Sequence, residues 1–222
     1  MQISPLTSAV LFHVGPIAVT RPVVTTWIIM IALASISRLV TRRLQMLPDG
    51  GQALAESLVL GIHQQIESII HQDTRPYLPM LGTLFIYLVA ANLCGVLPGV
   101  EPPTGKLETP LALALIVFSS VHFFGIRARG PRGYLARFAK PKLVMLPLNL
   151  LSEVTRTFSL MVRLFGNVMS GEFVLALVIA LAGLFVPIPL MVLELLVGLV
   201  QAYIFAVLAT VFIGAAVGGE SG

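Results

Sequence analysis

Two apolar stretches near the end of this chain carry eight side chains able to do chemistry: Asn149, Glu153, Arg156, Arg163, Asn167 and Glu172 in the first, Glu194 and Gln201 in the second. Ionisable groups inside hydrocarbon cost several kcal/mol each unless paired or hydrated, so a path for ions is the default chemistry of such a set. Ser152, Arg156, Ser159, Arg163, Asn167 and Ser170 step by three or four, which places them on one polar stripe of a helix. Glu172 stands nine residues beyond Arg163, about 900° of rotation, and so faces half a turn away from that stripe, towards a different neighbour. Glu194 and Gln201 are seven apart and return to one face within about 20°. Taken alone, Arg163 reads equally well as an ion-path charge and as a topology anchor snorkelling to the interface. Glu172 and Glu194 lack that escape. They read as groups of an ion path ahead of a structural polar pair.

The elements that must hold these groups follow from composition. Of 222 residues 57% are hydrophobic and 11% charged, which excludes a soluble globular domain. Apolar stretches at 23–40, 77–97, 107–126, 143–184 and 188–217 predict membrane-embedded helices, since hydrocarbon cannot satisfy an open backbone. The N-terminus shows no basic region followed by an apolar core, its first basic residue being Arg21, so these spans are expected to belong to the mature protein. Residues 50–71 differ: Leu54, Leu58, Ile62, Ile66, Ile69 and Ile70 recur at helical spacing among Gln52, Glu56, His63, Gln64, Glu67 and His71. That pattern predicts an amphipathic surface helix lying in the interface or docked on a partner. The expected fold is an all-α polytopic membrane protein with about five embedded helices plus this surface helix. The last two spans would be roughly 63 and 45 Å long against a hydrocarbon core of about 30 Å, so they predict a long, tilted hairpin turning at Pro187-Ile188-Pro189.

Basic residues orient the chain. Arg38, Arg42 and Arg43 follow the first span and Arg127, Arg129, Arg132, Arg137, Lys140 and Lys142 the third, whereas 98–106 holds only Lys106. Both rich clusters should be cytoplasmic, leaving the N-terminus outside and the C-terminus inside. One membrane domain results: an external segment 1–22, a first span 23–45, a cytoplasmic amphipathic segment 46–76, a helical hairpin 77–126, a basic cytoplasmic loop 127–142 and the tilted hairpin 143–222. Glu101, Lys106 and Glu108 read as solvated loop charges. The basic clusters point to topology and anionic lipid, not to nucleic acid.

Other chemistries find no support. A single cysteine, Cys94, cannot form an internal disulfide, and His13, His63, His71 and His122 show no metal-ligand spacing, so no metal or bound cofactor is expected. GxxxxGK[ST] does not occur.

The stretch Ser159-Leu160-Met161-Val162-Arg163-Leu164-Phe165-Gly166-Asn167-Val168-Met169-Ser170-Gly171-Glu172 resembles the signature of subunit a of F-type rotary ATP synthases. The resemblance extends through Asn92-Leu93-Cys94-Gly95-Val96-Leu97-Pro98-Gly99, Thr109-Pro110-Leu111-Ala112-Leu113-Ala114, Pro147-Leu148-Asn149-Leu150-Leu151 and Gln201-Ala202-Tyr203-Ile204-Phe205, in that order. It covers most of the chain from about Pro79 onward. One departure is Thr157, where a proline is common in the family.

The resemblance implies a non-catalytic stator subunit that offers two offset aqueous half-channels beside a rotating ring of c subunits, held by b-type peripheral stalk subunits in a bacterial inner membrane. It implies that Arg163 is the essential stator charge, that Glu172 and Glu194 line the outer half-channel, and that Asn167 and Gln201 lie close to the arginine. Asn149 and Glu153 become candidates for the inner half-channel. The translocated ion is expected to be H+, with Na+ the alternative. A self-contained secondary transporter is the competing class, and would call for internal repeats that the sequence lacks.

Overall fold

A computed structural model describes residues 10–14, 17–42, 50–70, 73–95, 102–139, 146–183 and 186–218. Strands β1 (Val10–Val14) and β2 (Ile17–Thr20) form an antiparallel hairpin, followed by helices α1 (Arg21–Thr41), α2 (Gly50–Ile69), α3 (Leu78–Cys94), α4 (Glu108–Ala139), α5 (Leu146–Ala182) and α6 (Pro187–Val217). A 3-10 turn, Pro103–Gly105, precedes α4. The architecture is that of a polytopic helical membrane protein. Four helices are long and apolar enough to cross a membrane, and α3 is a shorter apolar helix.

Local chemistry sets most boundaries. Prolines occupy the first turns of α1, α3 and α6, where the missing N–H has no intrahelical partner to lose. Gly183 ends α5 at φ +79°, a left-handed conformation that a side chain would disfavour. Pro187-Ile188-Pro189, expected to form the turn itself, instead opens α6.

Two other segments differ from the sequence reading. The N-terminal segment, expected to be external, contains the paired strands β1 and β2, which no periodicity announced. The basic stretch from Arg127, expected as a loop, is helical through Ala139, broken only at Gly130 (φ +74°, ψ 161°) ahead of Pro131. A proline excludes its predecessor from helical geometry, and glycine accepts the resulting conformation. Beyond the break Tyr134 is buried against Gly125, where even a Cβ would collide with its ring. Lys140 and Lys142 lie outside the described residues.

The core forms where α3, α4, α5 and α6 converge. Leu81, Leu84, Leu88 and Ala91 of α3 meet Ala202, Phe205, Ala209 and Ile213 of α6, with Val117 and Val121 of α4 and Leu160 and Leu164 of α5 beside them. The small residues at seven-residue spacing on α6 let α3 approach closely. By contrast, α1 exposes Trp27, Ile28, Met30, Ile31, Ile36 and Leu39, the pattern of a helix facing lipid. The amphipathic helix α2 docks through its C-terminal end, with Ile62 against Gly82 of α3 and Ile70 against Gly214 of α6. Its N-terminal half keeps Leu54, Leu58 and Leu60 exposed.

Candidate functional site

Helix α5 carries the polar stripe, and the structure divides that stripe between two concavities. Ser152, Arg156, Ser159 and Arg163 line a groove of about 480 Å³ with Thr155, Leu208 and Phe212. Asn167 and Ser170 line a separate cavity of about 220 Å³. Only one helical turn separates the last groove residue, Arg163, from the first cavity residue, Asn167.

The cavity is lined by four parts of the chain: Asn92 and Gly95 at the end of α3, Pro102 and Thr104 at the 3-10 turn, residues between Asn167 and Leu175 of α5, and residues between Leu190 and Gly198 of α6. Its polar frame is continuous. Thr104 Oγ1 donates to Asn92 Oδ1 at 3.1 Å, and Asn92 Nδ2 donates to the carbonyl of Gly198 at 2.7 Å. Gly198 permits this approach, since a Cβ there would come within 3.1 Å of the Asn92 Cβ. The frame was only partly legible: Asn92 stands in a recognisable motif, whereas Thr104 gave no signal in its loop.

Each carboxylate of the site lies against a glycine. Glu194 projects from α6 into the cavity and over Gly171, whose missing side chain leaves the space its carboxylate occupies. Glu172, the next residue along α5, turns instead to the 3-10 turn, where a Cβ on Gly105 would meet its Oε1 at 2.6 Å. The half-turn offset of Glu172 from the stripe therefore holds, and its separate neighbour is the 3-10 turn. Glu194 reaches α5 from α6, whereas Glu172 reaches out from α5 to that turn.

The groove has another character. Its lining comes from α5 and α6 alone, so it is open on the side away from the core. Arg163 is exposed there and, among the described residues, has no ion-pair or hydrogen-bond partner. Arg156 is anchored, with its guanidinium 5.5 Å from the centre of the Phe212 ring and 3.9 Å from Glu153. Asn149 and Glu153, the candidates for the inner side, are not among the lining residues; Glu153 reaches the groove through Arg156. Gln201 lines neither concavity. It is buried on α6, and its Nε2 has no hydrogen-bond partner. Thr157, at the position where proline is common, donates to the Glu153 carbonyl at 3.1 Å and leaves α5 continuous.

The histidines lie elsewhere. His63 on α2 contacts Thr74 Oγ1 at 3.1 Å and Glu67 at 3.6 Å, and His122 Nδ1 donates to the Phe118 carbonyl at 2.8 Å. His71 is outside the described residues. Among the described residues no three His, Cys, Asp or Glu side chains gather as a metal site.

A family model described as ATP synthase A chain matches residues 23–214, nearly the whole membrane portion. The chain belongs to this family, subunit a of F-type ATP synthases. Similar proteins cover it from end to end. ATP synthase subunit a 2 of a Bradyrhizobium species is 74% identical over 218 residues, spanning 98% of each chain. The protein of that name from Acaryochloris marina is 47% identical over 204 residues, 91% of this chain and 87% of its own. ATP synthase subunit a of Nitrosospira multiformis is 44% identical over 218 residues, 97% and 86% of the two chains. Membership in the subunit a family and the spans of α1, α4, α5 and α6 agree on a multi-pass membrane subunit.

Proposed function

We propose that this subunit carries the ion path of a bacterial ATP synthase, with the α3–α5–α6 cavity as the outer half-channel, the α5–α6 groove as part of the inner one, and Arg163 as the stator charge between them. The observation carrying this reading is the division of one helical stripe into two concavities that meet across the turn from Arg163 to Asn167. A guanidinium stays protonated under biological conditions, so it relays no proton itself. It draws an ionised carboxylate from a passing rotor subunit, and in a low-dielectric setting it favours the charged form of that acid, at about 1.4 kcal/mol per pKa unit. A loaded rotor site arriving at Arg163 releases its ion towards the inner groove, and a site leaving it reloads from the outer cavity. The fixed charge also blocks a direct leak between the two.

In this reading Glu194 and Glu172 pass protons inward from the outer surface, while Asn167 and Gln201 supply polar contacts on the approach. The groove's open side suits a c ring, whose acidic residues would give exposed Arg163 its partner. Asn149 and Glu153 act at most behind the groove wall, Glu153 by holding Arg156. The b-type stalk subunits would fix the assembly against rotation in the inner membrane, with the N-terminus outside. A self-contained transporter is disfavoured, because its site would be closed by its own helices.

The test is ATP-driven ion pumping by the assembled complex in inverted vesicles carrying Arg163→Ala. Pumping should be abolished although the c ring still co-purifies, and pumping at the unaltered rate would refute the assignment. The assay in sodium-free and sodium-containing buffer identifies the ion: proton coupling predicts equal rates.

A further inference from the structure

We propose that the 3-10 turn Pro103–Gly105 is a positioning element of the ion path, and that Gly105 sets where the Glu172 carboxylate lies. The proposal rests on reading Glu172 as a proton relay. It begins from an anomaly of burial: a Pro-Pro-Thr-Gly-Lys loop should be solvated, yet Pro103, Thr104 and Gly105 are all buried, Thr104 completely.

The turn is held on several sides. It contacts α1, α3, α4 and α5. Thr104 ties it to Asn92 and, through Asn92, to the backbone of α6 at Gly198, one turn beyond Glu194. Pro102 lies against Gly95 at the end of α3, and the Gly105 N–H closes the turn on the Pro102 carbonyl at 3.0 Å. Just beyond it, Glu108 at the start of α4 accepts a hydrogen bond from Thr20 at 2.9 Å, fastening the loop to the start of α1. A segment clamped in this way presents a fixed wall.

Against that wall lies the carboxylate. A Cβ on Gly105 would meet Oε1, Cδ and Oε2 of Glu172 at 2.6, 3.2 and 3.4 Å, so the whole carboxylate faces this one Cα. Among the described residues, apart from its chain neighbours, nothing else meets that hypothetical Cβ as closely. A methyl group added here displaces the end of a flexible side chain and leaves the backbone undisturbed. The glycine thus determines how far Glu172 reaches outward, and in a relay a misplacement of about 1 Å can cost up to 100-fold in rate. Gly105 is a positioning residue: it acts only through Glu172.

The experiment is ATP-driven proton pumping by the whole complex in inverted vesicles, with Gly105→Ala, Glu172→Asp, the two combined, and Glu172→Gln. Gly105→Ala should lower pumping by about tenfold with the complex assembled. Aspartate withdraws the carboxylate by one methylene, so the combined variant should pump within about twofold of Glu172→Asp alone, the alanine having nothing left to displace. Normal pumping by Gly105→Ala overturns the proposal. So does a combined variant in which the alanine costs as much as it does alone, or in which it prevents assembly despite the shortened acid. Glu172→Gln separates the two levels: if it pumps normally, the relay reading itself falls, whatever Gly105 does.

Discussion

The cavity at Asn167 and the groove at Arg163 occupy successive turns of the same helix, yet they are built differently. The cavity takes its walls from four parts of this chain, α3, the 3-10 turn, α5 and α6; its polar frame is hydrogen-bonded, and Glu194 in its lining rests on a glycine. The groove has two walls, α5 and α6, and presents an arginine with no partner among the described residues. A fixed aqueous path can be enclosed by a static subunit. Under the proposed function, a charge that meets a succession of moving acids cannot be, because any wall in front of it would block them.

That contrast can be broken most severely at Arg163. Arg163→Lys keeps the charge but loses the planar fork and gains a group that burial can neutralise. ATP-driven pumping in vesicles should fall by at least about 100-fold, the scale of removing one pre-organised charge from a water-poor site. Lysine at near-normal activity would mean that the groove is wetter than its placement implies. On the cavity side, Glu194→Gln keeps shape and hydrogen bonding and removes only the titrating proton. Pumping should fall by about 100-fold, the lower end of the range for a positioned acid or base, and an unchanged rate would make the cavity a structural void.

Smaller effects sharpen the comparison. Gly171→Ala inserts a methyl where the Glu194 carboxylate lies, and overpacking of this kind costs about 1–3 kcal/mol. Pumping should drop several-fold, while Gly166→Ala on the same helix, with nothing within 4 Å of its added Cβ, should leave it near normal. Equal loss in both would show a general intolerance of α5 to side chains. The smallest effect is expected at Arg156, whose ring contact and long ion pair with Glu153 are each worth about 1 kcal/mol or less. Arg156→Ala should lower thermal stability of the complex slightly and pumping by no more than about fivefold. A loss as large as at Arg163 would make Arg156 a second stator charge.

Much of this was legible in the chain itself. The stripe from Ser152 to Ser170 and the offset of Glu172 follow from a period of 3.6, and both hold because α5 is one continuous helix. The surface helix α2 was legible for the same reason. Elsewhere the reading failed where long-range contact overrode local pattern. The basic stretch after Arg127 looked like a loop because its charges masked a helix that packs Tyr134 back on Gly125. Glu108 is exposed as expected, but its bond from Thr20, 88 residues away, had no local sign. Asn149 and Glu153 sit on α5 near the groove, but helix rotation turns them out of its lining.

The sequence by itself determined the membrane class, the helical spans and the order of polar groups along α5 and α6, since hydropathy and helical period act within one segment. Only the tertiary structure decided that Arg163 and Asn167 fall in different concavities, that Glu172 meets Gly105, and that Thr104 and Asn92 frame the outer cavity. Those outcomes depend on which glycine lets another segment approach, and the space left by an absent side chain has no signature along the chain that omits it.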